Sequence, residues 1–168
     1  FIIRLIIYVN KKQFININLI NDFGKDSVLS RLQKNLYKKL KTTDVEKVNM
    51  LFQEWMSMYH LSLNDNGKSN TLRNRRNALS NSVNQVLKTN EDEYKALFAL
   101  ETGYAIVVKL FALKILPKLN LSESITYFDD LLSESINELQ HSFESIENGY
   151  VFNTSNITNL LEQDFFSW

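Results

Sequence analysis

Gly67-Lys68-Ser69 matches the last three residues of a phosphate-binding loop, in which backbone N–H groups and a lysine cradle phosphate oxygens. The full motif needs a glycine five residues earlier, after a strand, and Ser62 holds that place in a segment that reads as helix. These residues are therefore expected to be a loop with a basic tip. Asp129-Asp130 with Glu134 has the form of paired carboxylates that hold magnesium against a diphosphate. That chemistry requires a second acidic motif beside basic phosphate binders. The only other acidic cluster, Glu91-Asp92-Glu93, stands at a helix start, where carboxylates answer the positive end of the helix dipole. The expectation is a solvated acidic face. His60 and His141 are isolated, and no serine or aspartate spacing around them suggests a triad. Cysteine is absent, which excludes disulfides and thiolate metal sites. The residues thus nominate no catalytic group and no metal site. Lys68, Arg73, Arg75 and Arg76 cluster beside Asn and Ser and are the candidates for contact with DNA phosphates.

The elements that would position them are helical. Four glycines and one proline in 168 residues leave too few turn residues for a many-stranded protein. With 44% hydrophobic and 12% aromatic residues the chain can build a core. Asp26 or Ser27 starts a helix whose stripe is Leu29, Leu32, Leu36 and Leu40, with Lys34, Lys38 and Lys41 away from it. Thr43 and Glu46 match a capping box for a second helix, carrying Val45, Val48, Leu51, Phe52, Trp55 and Tyr59 on one side and running to about Tyr59. His60 to Thr71 reads as a loop, and Leu72, Leu79, Val83 and Val86 as the stripe of a third helix.

Asn90 is expected to cap the clearest element, Glu91 to Leu116, which is apolar nearly all round. Its polar positions Glu91, Lys95, Thr102 and Lys109 fall in one narrow stripe. Trp55, Leu100, Tyr104 and Phe111 are expected to be largely buried around it, and Glu101, if buried, to be paired. Leu121 to Ile146 carries an amphipathic pattern, one long helix or two with a break near Ser133, ended by Gly149. The fold class expected is all-α, a multi-helix bundle around a central apolar helix at about 91–116, forming a single helical domain over 1–168.

Net charge is zero, yet its distribution is polar. Residues 1–90 hold 15 basic and 6 acidic side chains, residues 91–168 hold 4 and 13. Such halves suggest an anionic partner for the first or docking of one on the other, against the plainer reading that both charge sets are solvated faces. The N-terminal apolar run lacks the features of a signal peptide, and the tract Tyr104 to Leu116 is too short to cross a bilayer. No membrane partner is expected, and cytoplasmic residence follows. The chain opens on Phe1 without an initiator methionine and stops in the cluster Phe165, Phe166, Trp168. These are the ends expected of a piece of a larger protein.

Three stretches carry a resemblance: Asn21-Asp22-Phe23-Gly24 with Leu36-Tyr37-Lys38-Lys39-Leu40; Val48-Asn49-Met50-Leu51-Phe52-Gln53-Glu54-Trp55; and Glu101-Thr102-Gly103-Tyr104-Ala105 with Asn159 to Trp168. Together they resemble the helical segment upstream of the catalytic domain in adenine-specific DNA methyltransferases of restriction–modification systems. In the single-chain nuclease–methyltransferase type that segment connects the two activities. The resemblance implies a non-catalytic helical connector with possible DNA contacts, an adjoining catalytic domain as partner, and S-adenosylmethionine as the cofactor of that domain, none being held by this chain. It carries over no catalytic residue. Adenine methylation of this type uses an Asp/Asn-Pro-Pro-aromatic loop, and the one proline here, Pro117, is followed by Lys118. The alternative from another class is a stand-alone helical protein–protein interaction module docking through its C-terminal aromatics.

Overall fold

The computed structural model describes residues 17, 27–62, 69–115, 130–131 and 133–149. Among them are five helices and no strand: α1 (Val28–Thr42), α2 (Glu46–Ser62), α3 (Ser69–Val83), α4 (Asn90–Ile115) and α5 (Ile136–Glu147). The all-α expectation holds, with α4 the long central helix. The chain divides into two compact units, Leu19–Tyr104 and Phe1–Asn18 with Ala105–Trp168.

In the first unit α1 begins where the Ser27 hydroxyl accepts the Ser30 N–H at 3.4 Å, the N-cap expected of serine. Leu29, Leu32, Tyr37 and Leu40 are buried. Gln33 is buried with them, and its amide donates to the Ala96 carbonyl of α4 at 3.2 Å, so the polar group is satisfied inside. The core joins Tyr37 of α1, Leu79 and Val83 of α3, Leu87, and Ala96 and Ala99 of α4. Alanines on α4 leave room for the larger side chains opposite. At Gly103 α1 and α4 come close together: a Cβ there would lie 3.2 Å from Leu29 Cδ1 and 3.6 Å from Leu32 Cδ2.

The helix ends correct the sequence expectations. Thr43 and Glu46 form no capping box. The Thr43 hydroxyl accepts instead from the Val45 N–H at 3.2 Å, and the Val45 carbonyl receives the first helical bonds, from Val48 and Asn49. That makes Val45 the cap and Glu46 the first helical residue, too early for the reciprocal bond. Val45 is exposed. The connection after α2 is shorter than His60–Thr71, because α2 runs on to Ser62 and α3 starts at Ser69; residues 63–68 lie outside the described set. α3 stops at Val83 with Asn84 in the left-handed region at φ 55°. The Gln85 N–H reaches the Ser80 carbonyl at 3.1 Å and the Asn84 N–H the Asn81 carbonyl at 3.3 Å, which is the paired-bond termination that glycine or asparagine permits. Val86, expected on the stripe, therefore lies beyond the helix and is 79% exposed.

The cap of α4 is Thr89, not Asn90. Its hydroxyl accepts from the Asp92 N–H at 3.0 Å, and the Asp92 carboxylate accepts from the Thr89 N–H at 3.4 Å. The rotation of α4 also departs from expectation. Thr102 and Lys109, on the supposed polar stripe, are buried, whereas Tyr104 is 49% and Val108 59% exposed. A helix apolar on most of its circumference has little amphipathic contrast to orient it, so its neighbours set the rotation. Trp55, Leu100 and Phe111 are only partly buried, and Tyr104 is outside the core. By length and composition α4 could cross a membrane, contrary to the reading of its apolar tract as too short. Just over half of its most apolar stretch is buried inside the protein.

In the second unit the break near Ser133 is present. The Ser133 N–H and hydroxyl both bond the Asp130 carbonyl, and α5 restarts from a capping box between Ser135 and Glu138. Leu139, Phe143 and Ile146 are buried, while Ile136, at the first turn, is exposed. Asn148 caps the end, and Gly149 takes φ 70°, as the sequence predicts for a terminating glycine. The apolar positions Leu121, Ile125, Phe128 and Leu132 lie outside the described residues.

Candidate functional site

The polar centre of the Leu19–Tyr104 unit is the first turn of α4. Glu91, Asp92 and Glu93 follow one another there, and each is turned by the helix toward a different neighbour. Glu91 pairs with Lys95 one turn on, at 2.8 Å. Asp92, besides capping the helix, accepts from the α1 side chains Lys41 at 3.3 Å and Tyr37 at 3.4 Å. Glu93 is 2% exposed and faces α3. One of its oxygens accepts from Arg75 Nε and the other from Arg76 Nε, each at 2.7 Å. Arg76 also donates to the side-chain oxygen of Asn90. Two arginines neutralising one buried carboxylate meet the requirement that buried charge be paired and hydrogen-bonded.

The electrostatics follow from these contacts. Burial tends to raise the Asp92 pKa, but the hydrogen bonds from Lys41 and Thr89 and the Lys41 charge outweigh it and leave Asp92 below its ordinary 3.8. The hydrogen bond to Asp92, then the neighbouring Tyr37, holds Lys41 above its ordinary value. Burial, then the Asp92 charge, raises the Tyr37 phenol. The Lys41 ammonium also lies 5.5 Å from the centre of the Tyr37 ring, a cation–π distance.

A second constellation lies between α2 and α4. Trp55 donates its indole N–H to Glu101 Oε2 at 2.8 Å. The indole stacks on Tyr59, with ring centres 4.7 Å apart, and tilts against Phe98 at 5.3 Å. Phe98 meets Phe52 edge-on at 5.6 Å. Glu101 is exposed, so the expectation of a partner, made for a buried carboxylate, does not apply; at the surface it accepts from the Trp55 indole.

The candidate DNA contacts are thus divided. Lys68 lies outside the described residues. Arg73 is exposed on α3. Arg75 and Arg76 are half-buried and engaged by Glu93, so much of their charge is spent within the protein. The signal that could have shown this is the pairing of Arg75-Arg76 with Glu91-Asp92-Glu93, opposite charges at two consecutive helices. It was obscured because acids at a helix start already have a local explanation. Of the remaining candidates, His141 is exposed and 3.5 Å from Glu144, Asp130 is exposed, and Glu134 accepts from the Ser142 hydroxyl through both oxygens. Among the described residues no three metal-ligating side chains converge. Comparison with protein-family models, with curated proteins and with solved structures found no match.

Proposed function

We propose that the chain is a non-catalytic helical connector of a restriction–modification adenine-specific DNA methyltransferase, whose adjoining domain binds S-adenosylmethionine and carries the chemistry. The observation that supports this reading most directly is the Trp55–Glu101 hydrogen bond at 2.8 Å. It ties the end of the Val48–Trp55 stretch to the start of the Glu101–Ala105 stretch, two of the segments on which the resemblance rests. Leu36–Leu40, part of the remaining stretch, lies in α1, where Tyr37 bonds Asp92 of α4, while 21–24 and 159–168 lie outside the described residues. Segments scattered along the sequence thus supply the contacts between helices, as residues of a connector's framework would.

In this reading Lys68 and Arg73 contribute phosphate contacts near the duplex. Arg75 and Arg76 serve mainly to hold α3 on α4. Phosphate contacts position a protein without reading sequence, which suits a connector beside a catalytic domain.

The test is the parent open reading frame around Trp168, together with an assay of the chain alone. An Asp/Asn-Pro-Pro-aromatic loop downstream and no transfer of labelled methyl groups to DNA by the isolated chain are the expected results. A stop codon directly after Trp168, or methyl transfer by the chain alone, would overturn the connector assignment.

A further inference from the structure

α1 carries five basic side chains, Arg31, Lys34, Lys38, Lys39 and Lys41, and no acidic one. Lys41 is bound to Asp92, and Lys39 and Lys41 stand in the last turn, where cations favour the helix dipole. The other three have no such explanation. Arg31 lies near the positive end of the helix, whose first turn holds no carboxylate. Arg31, Lys34 and Lys38 are spaced three and four apart, so they form one ridge in which each cation faces a like charge. Such pairs each destabilise a helix by about 0.2–0.5 kcal/mol. None of the three makes an ion pair among the described residues, and Arg31 and Lys38 are exposed.

We propose that this ridge of α1 tracks the phosphate backbone of duplex DNA. The rise of an α-helix puts Arg31 and Lys38 about 10 Å apart along the axis, a length over which the three cations can each meet a phosphate of the duplex. The self-repulsion of the ridge is relieved by an anionic polymer. A membrane surface fits poorly, because a helix that lies on lipid must present an apolar face to it. Leu29, Leu32, Tyr37 and Leu40, the apolar face of α1, are buried in the protein. Single-stranded nucleic acid wants aromatic platforms, and the one aromatic of α1, Tyr37, is buried too. The choice of DNA rests in part on the connector reading; the ridge itself does not.

The experiment is fluorescence anisotropy of the 168-residue chain with a labelled 20-base-pair duplex of mixed sequence, over a salt series. The R31Q/K34Q/K38Q variant keeps good helix formers, and circular dichroism checks that its helix content is unchanged. Its affinity at low salt should fall at least about tenfold, and the slope of log K against log salt should become shallower by up to about 2.7. The charge-keeping R31K/K34R/K38R variant should retain the wild-type slope. Equal slopes for the wild type and the glutamine variant would overturn the proposal. So would a wild-type chain that fails to bind duplex, or one that binds phosphatidylserine vesicles instead. The connector reading is judged separately by the parent reading frame: a stop codon directly after Trp168 does not bear on the ridge, and an inert ridge does not bear on whether a methyltransferase loop is encoded downstream.

Discussion

Arg75 Nε donates to Glu93 Oε1 at 2.7 Å, on a carboxylate that is 2% exposed. The bond decides what Arg75 does in the folded protein. With Arg76 on the other oxygen, α3 is held to the first turn of α4 by its own arginines. Glu93→Gln removes the charge and leaves two half-buried guanidiniums facing a weaker acceptor. It should destabilise the protein by about 3 kcal/mol in a urea titration, at the lower end of what breaking a buried pair costs because the arginines are partly solvated. The triple variant E93Q/R75Q/R76Q should recover part of that loss. A Glu93→Gln variant as stable as wild type would mean the cluster contributes no net stability.

The Trp55–Glu101 bond is expected to matter less. Glu101 is exposed, so water competes for both partners. Trp55→Phe keeps an aromatic ring against Tyr59 and Phe98 but removes the donor, and should cost about 1 kcal/mol from the hydrogen bond, plus the contact area lost. Glu101→Gln retains an acceptor and should cost less than half as much. Equal losses for both would show that charge, not the donor geometry, is what counts.

Gly103 tests the approach of α1 to α4. Glycine inside a helix costs about 1 kcal/mol relative to alanine. An alanine Cβ would meet the end of the Leu29 side chain at 3.2 Å, which can yield by a few tenths of an ångström. Gly103→Ala should therefore leave stability within about 1 kcal/mol of wild type. Gly103→Val adds two methyl groups against Leu29 and Leu32 and should destabilise by about 1–3 kcal/mol. Thermal denaturation of both variants separates the two effects, and a valine variant as stable as the alanine one would refute the close approach.

The Asp92, Lys41 and Tyr37 cluster contributes to the pH dependence of stability at both ends. Asp92 titrates lower in the folded protein than in the unfolded chain, so its stabilisation is present above about pH 4 and fades as pH falls through its folded value, below 3.8. Tyr37 and Lys41 titrate higher when folded. Their stabilisation is complete below about pH 10 and is lost as pH rises through the folded values. Urea titrations from pH 2.5 to 11 should show a plateau between two falling limbs. Asp92→Asn should weaken both limbs, since it removes the Asp92 titration itself and the carboxylate that holds Lys41 up and adds to the effect of burial on Tyr37; limbs identical to wild type would contradict this coupling.

Helix identity was legible in the sequence because it depends on local periodicity. Leu29, Leu32 and Leu40 at spacings of three and eight mark a buried face whatever packs on it, and few glycines and one proline leave the long segments unbroken. Gly149, which must take a positive φ where a helix ends, was legible for the same local reason. The caps were less so: Thr89 and Asn90 are both competent, and which one starts α4 depends on Asn90 being drawn to Arg76. Sequence distance hid the rest. The rotation of α4, with Thr102 inside and Tyr104 outside, is set by neighbours because a nearly all-apolar helix has no strongly preferred face. The fate of the basic residues was decided in the same way. Arg75 and Arg76 have the same charge as Arg31 and Lys38, and only the packing of α3 on α4 brings Glu93 within 2.7 Å of the first two while leaving the others facing water.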